Sequence, residues 1–125
     1  MKTAFLFSGQ GAQYVGMGKE LYQQEKIVKE TFEEASDLLG FSMEDLCFDE
    51  NSQLNETKYT QPAILTVSTA FLRVLTAKGF QADAVAGLSL GEYTALVASE
   101  ALKFRRKMLF LSHRIAFYCE KLLLC

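Results

Sequence analysis

Ser89 stands between Gly87 and Gly91 in the stretch AGLSLGEYTAL, residues 86–96. A serine with glycine two residues to either side suits a sharp strand-to-helix turn that thrusts the hydroxyl outward. The first N–H groups of a helix following such a turn have no intrahelical acceptor. That of Leu90 can face the oxyanion formed when Ser89 attacks a carbonyl carbon, and the helix dipole adds some positive potential there. Gly-x-Ser-x-Gly alone is common at ordinary turns. Here an apolar run precedes it and an amphipathic segment follows, which favours a nucleophile over a plain turn residue. A tetrahedral oxyanion takes a second donor. The loop SGQGAQ, Ser8 to Gln13, follows another apolar run. Strands of one parallel sheet end on the same side, so the Gln10 N–H can approach Ser89 from the neighbouring strand end. The other reading of that loop is a glycine-rich turn without a role. A phosphate-binding loop is excluded, because the spacing and the Lys-Ser/Thr ending are absent.

A serine nucleophile needs a base, and the chain has one histidine, His113. It adjoins Arg114 on a helix expected from Phe104. Neighbours on a helix point about 100° apart, so the two cannot both face one pocket squarely, and His113 reads as a surface or packing residue. Arg114 is placed by length. The helix after Ser89 runs away for about ten residues, roughly 15 Å, and the helix from Phe104 returns over the same distance. Arg114 therefore comes back near the level of Ser89, where a guanidinium could pair with a substrate carboxylate through two bonds. A surface arginine on a basic helix fits the same geometry.

The elements that must hold these residues follow from the apolar pattern. TAFLFS (Thr3 to Ser8) and DAVAGL (Asp83 to Leu88) read as buried strands. Val28, Phe32, Ala35 and Leu39 line one face of a helix over Ile27 to Leu39, stopped by Gly40. Ser42 with Asp45 resembles a capping box that opens a short helix carrying Leu46. Asp49 to Tyr59 reads as a polar connector. TQPAILTVSTAFLRVLTAKG is the clearest helix, with Thr60 as its cap, Pro62 in its first turn and Gly79 at its end. A helix from Leu90 to about Ser99 completes a strand, helices, strand, helix order. That order is an α/β layout with a parallel sheet and flanking helices.

Composition narrows the class. The chain has 125 residues, 50% of them hydrophobic and 22% charged, with a net charge of −2. These are the proportions of one globular domain. They give no argument for nucleic acid or an anionic membrane as partner. Cys47, Cys119 and Cys125 form no Cys-x-x-Cys pair, which fits a reduced cytoplasm better than disulfides or zinc. The apolar start is too short for a signal peptide, and no run approaches a membrane span. From residue 103 onward the chain turns basic and lacks glycine, and residues 103–125 read as an atypical tail with a solvated basic stripe.

Three stretches together resemble the malonyl-CoA:acyl carrier protein transacylases and the acyltransferase domains of fatty-acid and polyketide synthases. FLFSGQGAQYVGMGKEL is similar to the family's opening, TQPAILTVSTAFLRVL to its central helix, and AGLSLGEYTALVASEAL to its nucleophile turn. The likeness runs from about Thr3 to Phe104. It implies the N-terminal part of an α/β-hydrolase-like catalytic domain and a two-step transfer. Ser89 would take malonyl from malonyl-CoA as an ester and pass it to the phosphopantetheine thiol of acyl carrier protein. The N–H groups of Gln10 and Leu90 would form the oxyanion hole, Arg114 would hold the malonyl carboxylate, and Gln61 would help line the pocket. The acyl donor is a coenzyme A thioester and the acceptor a thiol, so no metal or bound cofactor is implied. Three positions depart from the family pattern: Ser8 stands for proline, Leu88 for histidine, and Ile115 for the glycine after the arginine.

The family's catalytic histidine and a smaller ferredoxin-like subdomain lie far downstream of residue 125. The resemblance therefore implies a truncated or frame-shifted N-terminal fragment, residues 1–125, that is nearly inactive alone unless a C-terminal partner chain brings the histidine. A general base is typically worth about 10²–10⁴-fold. Two other functions remain open. A serine hydrolase of α/β-hydrolase type uses the same turn but needs an acid and a histidine later in the chain. A non-catalytic fragment, or one subunit of a split acyltransferase, needs neither.

Overall fold

The computed structural model describes residues 1–112. In chain order the elements are β1 (Ala4–Phe7), α1 (Lys19–Gln24), α2 (Lys26–Leu39), α3 (Met43–Phe48), a 3₁₀ turn (Gln53–Asn55), α4 (Thr57–Ala77), β2 (Ala84–Gly87) and α5 (Gly91–Ala98). A further helix starts at residue 104 and continues through 112. The expected α/β order holds. β1 and β2 pair in parallel, Ala4 opposite Ala84 and Phe7 opposite Gly87. The pairing starts at Asp83, whose N–H donates to the Thr3 carbonyl at 2.7 Å while its carboxylate accepts from the Thr3 N–H at 2.7 Å.

Most of the core lies among the helices. The 3.6-residue spacing of α2 buries Val28, Thr31, Phe32 and Ala35 against α4, as a helix with one apolar stripe must. Gly40 ends α2 at φ 79°, in the left-handed region where glycine meets no Cβ penalty. Ser42 caps α3 by accepting from the Asp45 N–H at 3.1 Å. Helix α4 is buried nearly all round from Thr60 to Ala70 and forms the trunk of the molecule. Arg73 on α4 donates to Thr31 Oγ1 at 2.9 Å and Glu34 at 3.0 Å. Its guanidinium also lies 5.1 Å from the centre of the Phe104 ring, so one side chain links α4, α2 and the helix from residue 104.

Several expectations need correction. The polar segment after the first strand contains a short helix, α1, with no buried residue and therefore no apolar stripe to announce it. Helix α4 starts at Thr57, with Glu56 as its N-cap, inside the stretch read as connector. Thr60 is a buried residue within that helix rather than its cap, and its hydroxyl donates to the Leu54 and Glu56 carbonyls. Pro62 accordingly sits beyond the first turn, where the missing N–H removes one helix bond. Neither strand is fully buried. Ala4, Leu6, Ala84 and Ala86 are exposed while Phe5, Phe7, Val85 and Gly87 are half-buried. Helix α5 covers one face of the pair, and among the described residues no layer covers the other, so Leu6 is 79% exposed.

Candidate active site

The turn after β2 has the expected shape, and close backbone packing explains its glycines. A Cβ on Gly87 would stand well inside 3.0 Å of the Gly91 carbonyl carbon and oxygen and of the Glu92 nitrogen. One on Gly91 would stand inside 3.0 Å of the Phe7 and Ser8 carbonyls at the end of β1, the Phe7 oxygen nearest. The chain between them folds back tightly, with the Gly91 N–H donating to the Leu88 carbonyl at 2.9 Å and the Glu92 N–H to the Ser89 carbonyl at 3.0 Å. Ser89 at the apex is exposed and has φ 53°. A side chain held in this left-handed region typically costs about 1–3 kcal/mol, and such strain clusters at functional sites.

The loop after β1 is pressed against that turn. A Cβ on Gly9 would be 2.5 Å from the Leu88 carbonyl oxygen and 3.7 Å from the Leu90 nitrogen, so the two loops touch backbone to backbone. The Leu88 N–H donates to the Phe7 carbonyl at 3.1 Å, carrying the parallel ladder one residue past β2. Gln10 follows Gly9 directly. Among the described residues, neither the Gln10 N–H nor the Leu90 N–H has a hydrogen-bond acceptor. Leu90, the N-cap of α5, is only 3% exposed. Two free backbone donors thus lie on adjoining loops beside an exposed, strained serine. A developing negative charge at a carbonyl under attack suits such donors.

A chain of side-chain amides ties the Gln10 loop to the start of α4. Gln10 Nε2 donates to Thr57 Oγ1 at 3.1 Å, and Gln61 Nε2 donates to Gln10 Oε1 at 3.3 Å. Gln13 Nε2 donates to Asn55 Oδ1 at 3.1 Å, while Gln13 Oε1 accepts from the Gly11 N–H at 2.8 Å. Gln61 is therefore next to Gln10. The structure brings the Ser89 turn, Leu90, Gln10 and Gln61 together. Arg114 and His113 lie outside the described residues. Thr57, Asn55 and Gln13 went unnoticed in the sequence, where they carried no more signal than other polar residues of a connector and a loop. Their side-chain bonds span 47 and 42 positions, which no local pattern reveals.

Other reactive groups stand apart. Burial first, and Glu44 second, push the Cys47 thiol up to about 12, so it stays protonated and is no rival nucleophile. Among the described residues no group of three or more His, Cys, Asp or Glu side chains could hold a metal ion. No helix among them is long and apolar enough to cross a membrane.

Known proteins share this fold. The acyl transferase domain family matches residues 4–111. The malonyl CoA-acyl carrier protein transacylase of Bacillus subtilis is 48% identical over 105 residues, covering 83% of this chain and 33% of its own length. The crystal structure of MCAT from Streptococcus pneumoniae superposes with a TM-score of 0.89 at 56% identity, covering 93% of this chain and 38% of that one. A second structure shows a type II PKS acyl-carrier protein in complex with its malonyl-transacylase; that chain is 39% identical with a TM-score of 0.87, over 91% of this chain and 38% of the other. The chain thus spans about a third of the length of the curated relatives it matches. With the family matching nearly every described residue, and the strained serine turn lying inside the match, the chain belongs to the acyl transferase domain family.

Proposed function

We propose that the chain contributes the nucleophile and oxyanion hole for malonyl transfer from malonyl-CoA to acyl carrier protein, in cytoplasmic fatty-acid synthesis. The observation that carries this reading is Ser89 at φ 53° beside the unpartnered Gln10 and Leu90 N–H groups. The names of the transacylase relatives supply the substrates. Within an α/β-hydrolase-like layout, Ser89 Oγ attacks the thioester carbonyl and its proton passes to a base. The carbonyl oxygen gathers negative charge and receives hydrogen bonds from Gln10 and Leu90. The C–S bond then breaks, and coenzyme A leaves as its thiol with the proton, while malonyl stays on Ser89 as an ester. In the second half the phosphopantetheine thiol of acyl carrier protein attacks that ester, and Ser89 regains its proton.

Gln61 orders the pocket beside Gln10 in this scheme, and Arg114 binds the malonyl carboxylate through a bidentate pair. The base is a histidine carried by a C-terminal partner portion, as the family resemblance implies. The malonyl-CoA thioester is already an activated acyl donor and the acceptor is a thiol, so the residues named here need no metal or bound cofactor. Losing one oxyanion donor typically costs about 10²–10³-fold in rate.

The test is acylation by radiolabelled malonyl-CoA, with and without the C-terminal two-thirds of the Bacillus subtilis relative. Label should stay on the protein under denaturing conditions and vanish in Ser89→Ala. Arg114→Ala should shift preference from malonyl toward uncharged acyl groups. Absence of label under both conditions would sink catalysis by this chain.

A further inference from the structure

A backbone N–H helps an oxyanion only if it already points the right way before the reaction begins. Gln10 is poorly placed to hold itself. Glycines stand on both sides of it, Gly11 has φ 108°, and Gln10 and Gly11 are both exposed. Peptides flanked by glycine rotate freely, so something outside the loop must fix this one.

We propose that Thr57 and Asn55 are positioning residues that lock the Gln10 loop against the serine turn; this rests on the acyl-transfer reading above. Each anchors one glutamine. Thr57 Oγ1 accepts from Gln10 Nε2 at 3.1 Å, and Asn55 Oδ1 accepts from Gln13 Nε2 at 3.1 Å. The second anchor acts on the adjoining peptide: Gln13 Oε1 accepts the Gly11 N–H at 2.8 Å and so sets the orientation of the Gln10–Gly11 amide, which limits rotation of the Gly9–Gln10 amide that carries the donor. Gln61 Nε2 holds the remaining oxygen of the Gln10 side chain, so both ends of that carboxamide are fixed.

The anchors are themselves rooted in the core. Leu54, next to Asn55, is 2% exposed. Its N–H donates to Asn51 Oδ1 at 2.9 Å, and Asn51 Nδ2 donates to the Leu46 carbonyl of α3 at 3.0 Å. Support therefore runs from α3 through Asn51 and the 3₁₀ turn to Asn55 and Thr57, and across to the loop. Thr57 and Asn55 are exposed and are not among the buried core residues. Replacing them removes the clamp without opening the core.

The experiment uses the full chain with Thr57→Val, Thr57→Ser and Asn55→Ala. Valine keeps the shape of threonine and lacks the hydroxyl, and serine restores the hydroxyl. Hydrogen exchange reads the clamp directly. The Gly11 amide should exchange at least about fivefold faster in Thr57→Val and Asn55→Ala while the interior amides of α4 keep their rates, as expected for local opening. Acylation of Ser89 reads its consequence. The rate at saturating malonyl-CoA should fall about tenfold in Thr57→Val, less than the loss of a whole donor. The half-saturating concentration should stay within about twofold, since a transition-state contact is what loosens. Thr57→Ser should recover both readouts. Unchanged Gly11 exchange overturns the clamp, and so does a Thr57→Ser variant as impaired as Thr57→Val. An effect confined to the half-saturating concentration also overturns it. If the unsubstituted chain takes no label with or without the C-terminal portion of the relative, the acyl-transfer reading falls, and exchange alone then decides whether the loop is clamped.

Discussion

Gly87→Ala separates two reasons why a fold demands glycine. Gly87 has no positive φ among the backbone angles that single out Gly11, Gly16, Gly18, Gly40 and Gly79, so its need is for space alone. A Cβ there would stand well inside 3.0 Å of three backbone atoms of Gly91 and Glu92, against ordinary contact from 3.4 Å. No side-chain rotation relieves that clash. The start of α5 must move by roughly an ångström, and overpacking of this kind costs about 1–3 kcal/mol or more. With backbone on all sides the upper end applies, about 3 kcal/mol. Gly79 is the control: it has φ 87° and nothing within 4 Å of an added Cβ. Alanine there meets only the left-handed penalty of about 1–2 kcal/mol, partly offset by about 0.4–1 kcal/mol from a stiffer unfolded chain. Urea unfolding followed by circular dichroism compares them. At a slope of about 2 kcal/mol/M, Gly87→Ala should lower the midpoint by about 1.5 M and Gly79→Ala by about 0.4 M. A Gly87→Ala midpoint no lower than that of Gly79→Ala would refute the close packing that shapes the serine turn.

Among the described residues Glu100 is the other non-glycine residue with positive φ, at 60°, just past the Ser99 C-cap of α5, where helices favour glycine. Glu100→Gly should relieve about 1–2 kcal/mol of strain, less the entropy glycine adds to the unfolded chain. The melting midpoint should rise by about 3–5 °C; a fall would show that Glu100 makes contacts that outweigh its strain. Lys107 is buried, with its ammonium 4.4 Å from the Tyr93 ring centre and 5.2 Å from that of Phe110, and burial lowers its pKa. Between that lowered value and the ordinary 10.5, the unfolded chain binds more protons than the folded one, so stability rises with pH there. Below the lowered value the cost of the buried ammonium is present in full. Lys107→Met should therefore be more stable at neutral pH, and its unfolding free energy should lack the rise approaching pH 10. Parallel profiles for the two proteins would sink this assignment.

The parts of the site written in local order were legible in the residues, and the parts made by distant chain were not. Gly87, Ser89 and Gly91 announce a tight turn because small residues at that spacing have few other uses between an apolar run and a helix. The strand ends were legible too, since a parallel pair places the loops after β1 and β2 side by side whatever their detail. The clamp was opaque. Thr57 reads as connector because the N-cap of α4 is Glu56, without a side-chain cap bond, and Thr60 and Pro62 imitate a later start. Once α4 begins at Thr57, its first turn lies beside Gln10, and a residue that looked like linker becomes a hydrogen-bond acceptor for the loop. The bare sheet face escaped for a different reason. AFLF and AVAG are apolar on both sides, as strands covered by two layers are, yet the described residues supply only one. The pattern records what those strands are suited to pack against. Leu6 and Ala86 therefore report the need for a second layer, while Phe7 and Gly87 report the one that is present. The serine turn depends only on the covered side: Gly91 packs on the end of β1 and Gly9 on Leu88. The contacts that shape the turn around Ser89 thus all lie on the covered side, between the ends of β1 and β2 and the start of α5.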